Sequence, residues 1–315
     1  MPELRFDQRV AVITGAGRGL GRAYALLMAS KGARVVVNDP GGSLRGQGVD
    51  AGPAADVVRE IKSAGGEAVA NTDSVATPEG GKAIVQAALD HYGRLDALIH
   101  NAGIVRPGSL QEMSQADFDN VVDVHLNGAF HLVRAAFPIM FQARYGRIVL
   151  TSSIGGIYGN HRIANYAVSK AGVIGLSNVA ALEGESANVK CNVILPSAVT
   201  RMAEGIDISA YPPMDPELVA PVVGWLAHEN CSINGEMLAS IAGRIARAYI
   251  VESQGIYQPS WTIDQVDQQI DAIRTAGTPW ELPVVPHGHI DHIRRSFAMA
   301  VEGKKSGSGK TPSSH

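Results

Sequence analysis

Short runs rich in Val, Ile and Leu alternate, up to about residue 200, with segments whose apolar residues recur every three or four positions. The runs at 9–14, 33–39, 67–72, 97–100, 147–152 and 190–195 have the length and composition of buried strands. Between them, 20–30 and 54–64 carry helical spacing. The longest helical segment, 114–143, places Phe118, Val122, Leu126, Ala129, Val133 and Met140 on one broad stripe. Strands that alternate with helices are joined by crossovers, and crossovers build a parallel sheet with helices on both faces. The pattern therefore predicts an α/β chain with a doubly wound parallel sheet of Rossmann type, whose ligands lie beyond the carboxyl ends of the strands. A further strand is expected near 236–242.

Two stretches break the alternation. Residues 40–53 are rich in Gly and lengthen the loop after the second strand, and from 244 onward come several prolines and a helical segment near 262–274. The expected organisation is a catalytic, nucleotide-binding domain at 1–243, an extension at 244–302 packed on it, and a tail at 303–315. The tail's Gly, Ser and Lys content predicts disorder.

Candidate chemistry begins where the first strand meets the first helix, at Thr14-Gly15-Ala16-Gly17-Arg18-Gly19-Leu20-Gly21. Gly15 suits a tight turn, and Gly19 and Gly21 let backbone and helix approach a pyrophosphate, which the N–H groups of the helix start would receive. Asp39 ends the second strand, 18 positions beyond Gly21. A carboxylate there accepts hydrogen bonds from ribose hydroxyls and repels a 2′-phosphate; the plainer reading is a turn Asp before Pro40. Arg18 pulls toward NADP, but as a flexible exposed side chain it should be outweighed, so NAD is the expected cofactor.

Ser153 follows the fifth strand, and Tyr166 and Lys170, four positions apart, share one face of a predicted helix. A free phenol ionises near pH 10, too high for neutral-pH acid–base work. A neighbouring ammonium and the positive nicotinamide of an oxidised cofactor would favour the phenolate. Tyr166 is then suited to take a proton from an alcohol as hydride leaves, with Ser153 holding the substrate oxygen.

Composition narrows the setting. A formal net charge of −3 gives no reason to expect nucleic acid or an anionic membrane as a partner, and no apolar run reaches the length of a membrane span. The first residues lack the basic and apolar regions of a signal peptide, and Cys191 and Cys231 sit in apolar runs as buried thiols would, so a cytoplasmic location is expected. His287-Gly288-His289-Ile290-Asp291-His292 has the spacing of dinuclear metal sites, but it lies in the extension without the fold such sites need, and no metal is expected. Gly309-Lys310-Thr311 lacks the earlier glycine of a nucleotide P-loop, since position 304 is Lys304.

The glycine cradle, His100-Asn101-Ala102-Gly103 after the fourth strand, and Ser153 with Tyr166-Ala167-Val168-Ser169-Lys170 together resemble the short-chain dehydrogenase/reductase family over roughly residues 6–243. The resemblance implies Tyr166 as acid–base, Lys170 on the nicotinamide ribose and Ser153 on the substrate oxygen. It also implies Asn101, Ala102 and Gly103 on the cofactor side, Asp73 with Ser74 toward the adenine, and Pro196 with Val199 toward the nicotinamide. One departure stands out: the family usually carries an Asn holding a proton-relay water where this chain has His125. An imidazole also binds water, while a satisfied core histidine is the other reading. Asn127 points to a different helical face and is a weaker substitute.

Gly21-Arg22-Ala23-Tyr24-Ala25-Leu26-Leu27, Val37-Asn38-Asp39-Pro40-Gly41-Gly42 and Ile157-Tyr158-Gly159-Asn160 resemble, more narrowly, the (3R)-hydroxyacyl-CoA dehydrogenase domain of peroxisomal multifunctional β-oxidation enzymes and its single-domain bacterial relatives. That group shares the long loop, a His at the relay position and a C-terminal extension, which would shape the substrate entrance. The resemblance implies oxidation of 3-hydroxyacyl-CoA to 3-oxoacyl-CoA, with a hydroxysteroid or other secondary alcohol as the alternative substrate. A reductase drawing on NADPH fits Asp39 poorly, and a non-catalytic dinucleotide sensor fits the retained Tyr166 and Lys170 poorly. The expected partner is a small molecule, acyl-CoA or steroid. A homodimer or homotetramer follows from the resemblance, because the long helix and the Tyr166 helix commonly pair across a two-fold axis in the family.

Overall fold

A computed structural model describes residues 3–200 and 211–307 of the chain. Among them the alternating pattern becomes a sheet of eight strands in the order β3-β2-β1-β4-β5-β6-β7-β8. The strands β1 (Val10–Thr14), β2 (Arg34–Asn38), β3 (Glu67–Asn71), β4 (Ala97–His100), β5 (Gly146–Thr151), β6 (Val189–Ser197) and β7 (Met237–Ile241) run parallel, and β8 (Arg244–Ala248) returns antiparallel along β7. The helices α1 (Gly19–Ser30), α2 (Gly52–Ser63), α3 (Pro78–Tyr92), α4 (Gln115–Val122), α5 (Gly128–Ala143), α6 (Gly155–Tyr158), α7 (Ala164–Gly184) and α8 (Ala220–Ala227) fill the connections. β1, β4 and β5 are buried along their whole length, which is why they read as unbroken apolar runs. Strand order reverses between β1 and β4, the topological switch point at which such sheets bind ligands.

Tyr24 and Met28 of α1, Val57 and Ile61 of α2, and Val222, Val223 and Leu226 of α8 pack with β1 and β2 into the main core. At the amino end of the sheet, buried Asp96 accepts hydrogen bonds from the Val10 N–H (2.9 Å), Arg9 Nη1 (3.0 Å) and Arg94 Nε (2.8 Å). That carboxylate ties the start of β1 to the start of β4. The Gly-rich loop before α2 is pinned at its tip: Val105 N–H donates to the Leu44 carbonyl (3.0 Å) and Arg106 Nη2 to the Arg45 carbonyl (2.8 Å).

Several expectations need correction. The sheet continues past residue 243, because Ala242 and Gly243 adopt positive φ (48° and 79°) and turn the chain back into β8. β8 is a largely exposed edge with arginines at its start and near its end, so it shows no apolar run. The helix expected at 114–143 is α4 and α5 joined by a π-helical turn at Asp123–Asn127. β6 runs to Ser197, so Pro196 lies inside the strand and not after it. The tail expected to be disordered is helical as far as Gly307, because α10 (Gly288–Gly307) extends into it. A helix once nucleated gains a hydrogen bond with each added residue, which composition alone does not register. The remainder of that tail, 308–315, lies outside the described residues.

The chain divides into two compact units after Ala248. In the second, β9 (Val251–Glu252) pairs antiparallel with β10 (Trp280–Glu281). α9 (Ile263–Thr275) begins at a capping box formed by Thr262 and Gln265, and α10 ends the unit. His292 bonds Glu252 (2.9 Å), and among the described residues no three His, Cys, Asp or Glu side chains gather into a metal-binding group. In the first unit Phe130 and Phe141 of α5 and Val168 and Val179 of α7 remain exposed.

Asp96→Ala leaves Arg9, Arg94 and the Val10 N–H without their shared acceptor. Urea unfolding should show a loss of about 3 kcal/mol or more of stability. A loss below about 1 kcal/mol would mean that water replaces the carboxylate.

Candidate active site

The residues singled out from the sequence collect at the carboxyl ends of β1, β2, β3, β4, β5 and β6. Thr14 closes β1, and the chain turns through Gly15 to Gly19 into α1. A Cβ on Gly21 would run into the Gly15 carbonyl and lie 2.8 Å from Asn101 Nδ2, so α1 rests directly on the turn. Leu20, next to it, packs against the core. Asn101 holds the same turn from the other side, donating from Nδ2 to the Gly15 carbonyl (3.2 Å). The start of α1 has no side-chain cap, and its free N–H groups and dipole face the cradle.

Arg18 departs from the expectation of a flexible exposed side chain. It is half-buried, and its Nη1 is buried without a hydrogen-bond partner among the described residues. Asp39 is fixed as well: Oδ2 accepts from the Gly17 N–H (2.9 Å) and Oδ1 from the Gly41 N–H (2.7 Å). The carboxylate thus staples the cradle to the loop after β2, as the turn reading expected. Beyond β3, Asp73 is held by Asn71, which donates to its carboxylate (2.7 Å), and by Asn38 Nδ2, which donates to its carbonyl (2.9 Å). Ser74 Oγ accepts from the Ala76 N–H (3.2 Å). Pro196 sits beside Ser240 of β7, and the Val199 N–H donates to the Met214 carbonyl (2.7 Å).

Ser153, Tyr166 and Lys170 come together across β5, α6 and α7. Ser153 Oγ accepts from the Gly155 N–H (3.0 Å) and is hydrogen-bonded to the Tyr166 hydroxyl. Lys170 is almost wholly out of water; its Nζ donates to the Thr151 carbonyl (2.6 Å) and lies 5.6 Å from the centre of the Tyr166 ring. Ser152 Oγ donates to the Lys170 carbonyl (2.6 Å), and Asn165 Nδ2 to the Arg106 (2.9 Å) and Asp117 (3.0 Å) carbonyls, so α7 is clamped at its first two turns. Burial pushes the Lys170 amine down to about 7. Within the polypeptide the Tyr166 phenol is raised above its usual 10.0 by burial, with the Ser153 bond opposing. The protein's own groups therefore do not hold a phenolate.

His125 lies under this group. Its ring meets the Tyr166 ring edge to face at 5.2 Å, and a Cβ on Gly103 would strike it, so the glycine of the Asn101-Ala102-Gly103 turn leaves room for the imidazole. Nε2 is 2.8 Å from the Ile104 carbonyl and 3.0 Å from the Ile104 N–H. These contacts need opposite tautomers, so Nδ1, which is buried and has no partner among the described residues, is an acceptor in one and a donor in the other. Asn127 turns away to Asp123 (2.8 Å).

The uncapped helix start, the close seat of α1 on the glycine turn that Gly21 permits, and the Arg18 nitrogen without a partner among the described residues suit an anionic dinucleotide. Residues 9–207 match the short chain dehydrogenase family. The chain belongs to that family and is an oxidoreductase of its type. It is 49% identical over 261 residues to the peroxisomal multifunctional enzyme type 2 of Drosophila melanogaster, covering 82% of this chain and 43% of that protein. It is 44% identical over 254 residues to a putative short-chain type dehydrogenase/reductase of Mycobacterium tuberculosis, covering 79% and 87%. The solved structure of the full-length Drosophila enzyme superposes with a TM-score of 0.78 at 40% identity, over 95% of this chain and 50% of that one. A short chain dehydrogenase structure from Mycobacterium avium gives 0.77 at 37%, over 86% and 97%. This chain spans about half the length of the Drosophila relative.

Four further residues contribute without having been assigned a role from sequence: Thr14, Asn38, Gly17 and His100. For Thr14, Asn38 and His100 the signal is buried polarity at strand ends, which a lone sequence shows as an ordinary interruption of an apolar run, and Gly17 acts only through its backbone N–H. His100 is pushed down to about 3, chiefly by burial and then by the Lys170 charge, and His125 well below its ordinary 6.5 for the same two reasons. The unfolded chain takes up these protons near 6.5 and the folded chain does not, so unfolding free energy should fall as pH drops from about 6.5 toward 3, by about 1.4 kcal/mol per unit for each histidine. Urea titrations at several pH values should show that slope, and His100→Asn should remove one histidine's share.

Proposed function

We propose that the chain is an NAD-dependent dehydrogenase that oxidises the hydroxyl of a 3-hydroxyacyl-CoA thioester to the ketone. The observation that carries this reading is the Ser153–Tyr166–Lys170 group beside the cradle, in a chain 49% identical to an enzyme named for peroxisomal multifunctional activity. A second relative, 45% identical over 262 residues, is the peroxisomal hydratase-dehydrogenase-epimerase of Saccharomyces cerevisiae.

The bound nicotinamide supplies the hydride acceptor. The chain's own residues do the rest. Ser153 Oγ, steadied by the Gly155 N–H, holds the substrate oxygen by hydrogen bonding. Tyr166 Oη takes the proton of that hydroxyl, and Lys170, fixed by the Thr151 carbonyl, supplies the positive charge that favours the phenolate once the site is filled. His125 takes the place of the asparagine that holds a relay water in related enzymes; its Nδ1 can donate or accept, as water requires. Asp39, at the end of β2, is suited to ribose hydroxyls and disfavours a 2′-phosphate, while half-buried Arg18 lines the cradle for the diphosphate.

Absorbance at 340 nm with NAD and a panel of 3-hydroxyacyl-CoAs and hydroxysteroids tests the substrate. Turnover of thioesters supports the reading, and turnover of steroids alone replaces it with a steroid dehydrogenase. Tyr166→Phe should lower kcat by about 100-fold or more; full activity in that variant would sink the mechanism. Asp39→Ala should lose preference for NAD over NADP, and a wild-type preference for NADP would overturn the cofactor assignment.

A further inference from the structure

We propose that His100 is a positioning residue that joins the cofactor turn to the helix beneath Tyr166 through a single neutral tautomer, an inference that rests on the dinucleotide-dependent reading above. His100 ends β4 and is 1% exposed. Its Nε2 lies 3.2 Å from the His125 carbonyl, and a carbonyl oxygen only accepts, so Nε2 carries the hydrogen. Nδ1 then holds a lone pair, and the Thr14 hydroxyl, 3.0 Å away, donates to it. The Thr14 oxygen keeps two lone pairs, and two N–H groups reach it, those of Asn101 and Ala102, each at 3.2 Å. Every donor in the group then has an acceptor, and the Val124 backbone is a second hydrogen-bond partner of the His100 ring.

The alternative tautomer fails on the same count. It would set a bare Nε2 against the His125 carbonyl and aim three donors at the Thr14 oxygen, whose own hydrogen would lose the Nδ1 acceptor. An imidazolium fails for the second reason. Buried polar groups left unpaired cost more than the bonds they replace, so the hydrogen-bond set selects one protonation state.

The two ends of this ring serve different parts of the site. Through Thr14, Nδ1 holds the Asn101-Ala102 backbone, and Asn101 in turn holds the Gly15 carbonyl of the cradle. Through the His125 carbonyl, Nε2 holds the π-helical turn whose imidazole meets the Tyr166 ring. A change at His100 should therefore reach cofactor affinity through one nitrogen and the catalytic helix through the other.

Two substitutions separate the arms. In His100→Asn the side-chain oxygen falls near the Nδ1 position and still meets Thr14, while nothing reaches the His125 carbonyl. In His100→Gln the side-chain amide falls near the Nε2 position and still meets the His125 carbonyl, while Thr14 loses its acceptor. NADH fluorescence titration and backbone hydrogen exchange at 123–127 read the two arms without substrate. H100Q should weaken NADH roughly fivefold to tenfold, the effect of one hydrogen bond, and H100N should weaken it less. H100N should speed exchange at 123–127 by a similar factor and lower kcat more than H100Q does. Equal shifts of both readouts in both variants, or no shift in either, would overturn the proposal in favour of simple space filling. Nitrogen NMR of the wild-type protein adds a test that needs no variant to fold: His100 must show a protonated Nε2 and a bare Nδ1, and the opposite tautomer ends the argument. A chain that binds no NADH and oxidises no alcohol would sink the dehydrogenase reading, and the exchange and NMR results would still decide the tautomer and the His125 arm.

Discussion

An amine with almost no contact with water, Lys170, is the constraint around which the site is arranged. Removing an ammonium from water is costly, and the surroundings answer in two ways. The Thr151 carbonyl accepts from Nζ, which ties α7 to the end of β5, and the amine is pushed down to about 7. The same charge bears on the buried imidazoles of His100 and His125 and adds to the desolvation that keeps them neutral. Neutral imidazoles can act as acceptors, and both are built into the backbone of neighbouring turns. Burial first, and the Lys170 charge second, thus favour the neutral imidazoles that the adjoining hydrogen bonds require.

The topology makes such crowding possible. Each parallel strand ends at the same edge of the sheet, so Thr14, Asp39, His100 and Ser153 gather there although 25 to 61 positions separate neighbours in that series. The switch between β1 and β4 opens the crevice, and the first helix enters it close enough that Gly21 admits no side chain. The glycine cradle and the Ser153–Tyr166–Lys170 group are then linked by short contacts: Asn101 to Gly15 on one side, His125 to Tyr166 on the other, with His100 between.

Some of this was legible along the chain because the chemistry is local. The cradle occupies eight consecutive residues from Thr14 to Gly21, and Tyr166 and Lys170 share a helical face by spacing alone. Arg18 was not legible in that way. Whether a guanidinium is flexible or half-buried depends on what packs over it, and the exposed side chain expected from sequence proves partly enclosed. The exposed strand β8 and the π-helical turn around His125 were equally hidden, since an edge strand needs no apolar run and a one-residue offset in a helix leaves the apolar stripe intact.

By itself, then, the order of residues determined the alternation of strands and helices, the glycine cradle and the shared helical face of Tyr166 and Lys170. Those properties arise from periodicity and from side-chain chemistry within a turn or two. Only the tertiary structure decided that Asp39 staples the cradle, that Ile104 engages the His125 ring, and that His100 bridges Thr14 and the His125 carbonyl. These are hydrogen bonds between segments 21 or more residues apart, directed by buried geometry, and a buried donor takes whichever acceptor the fold brings within reach.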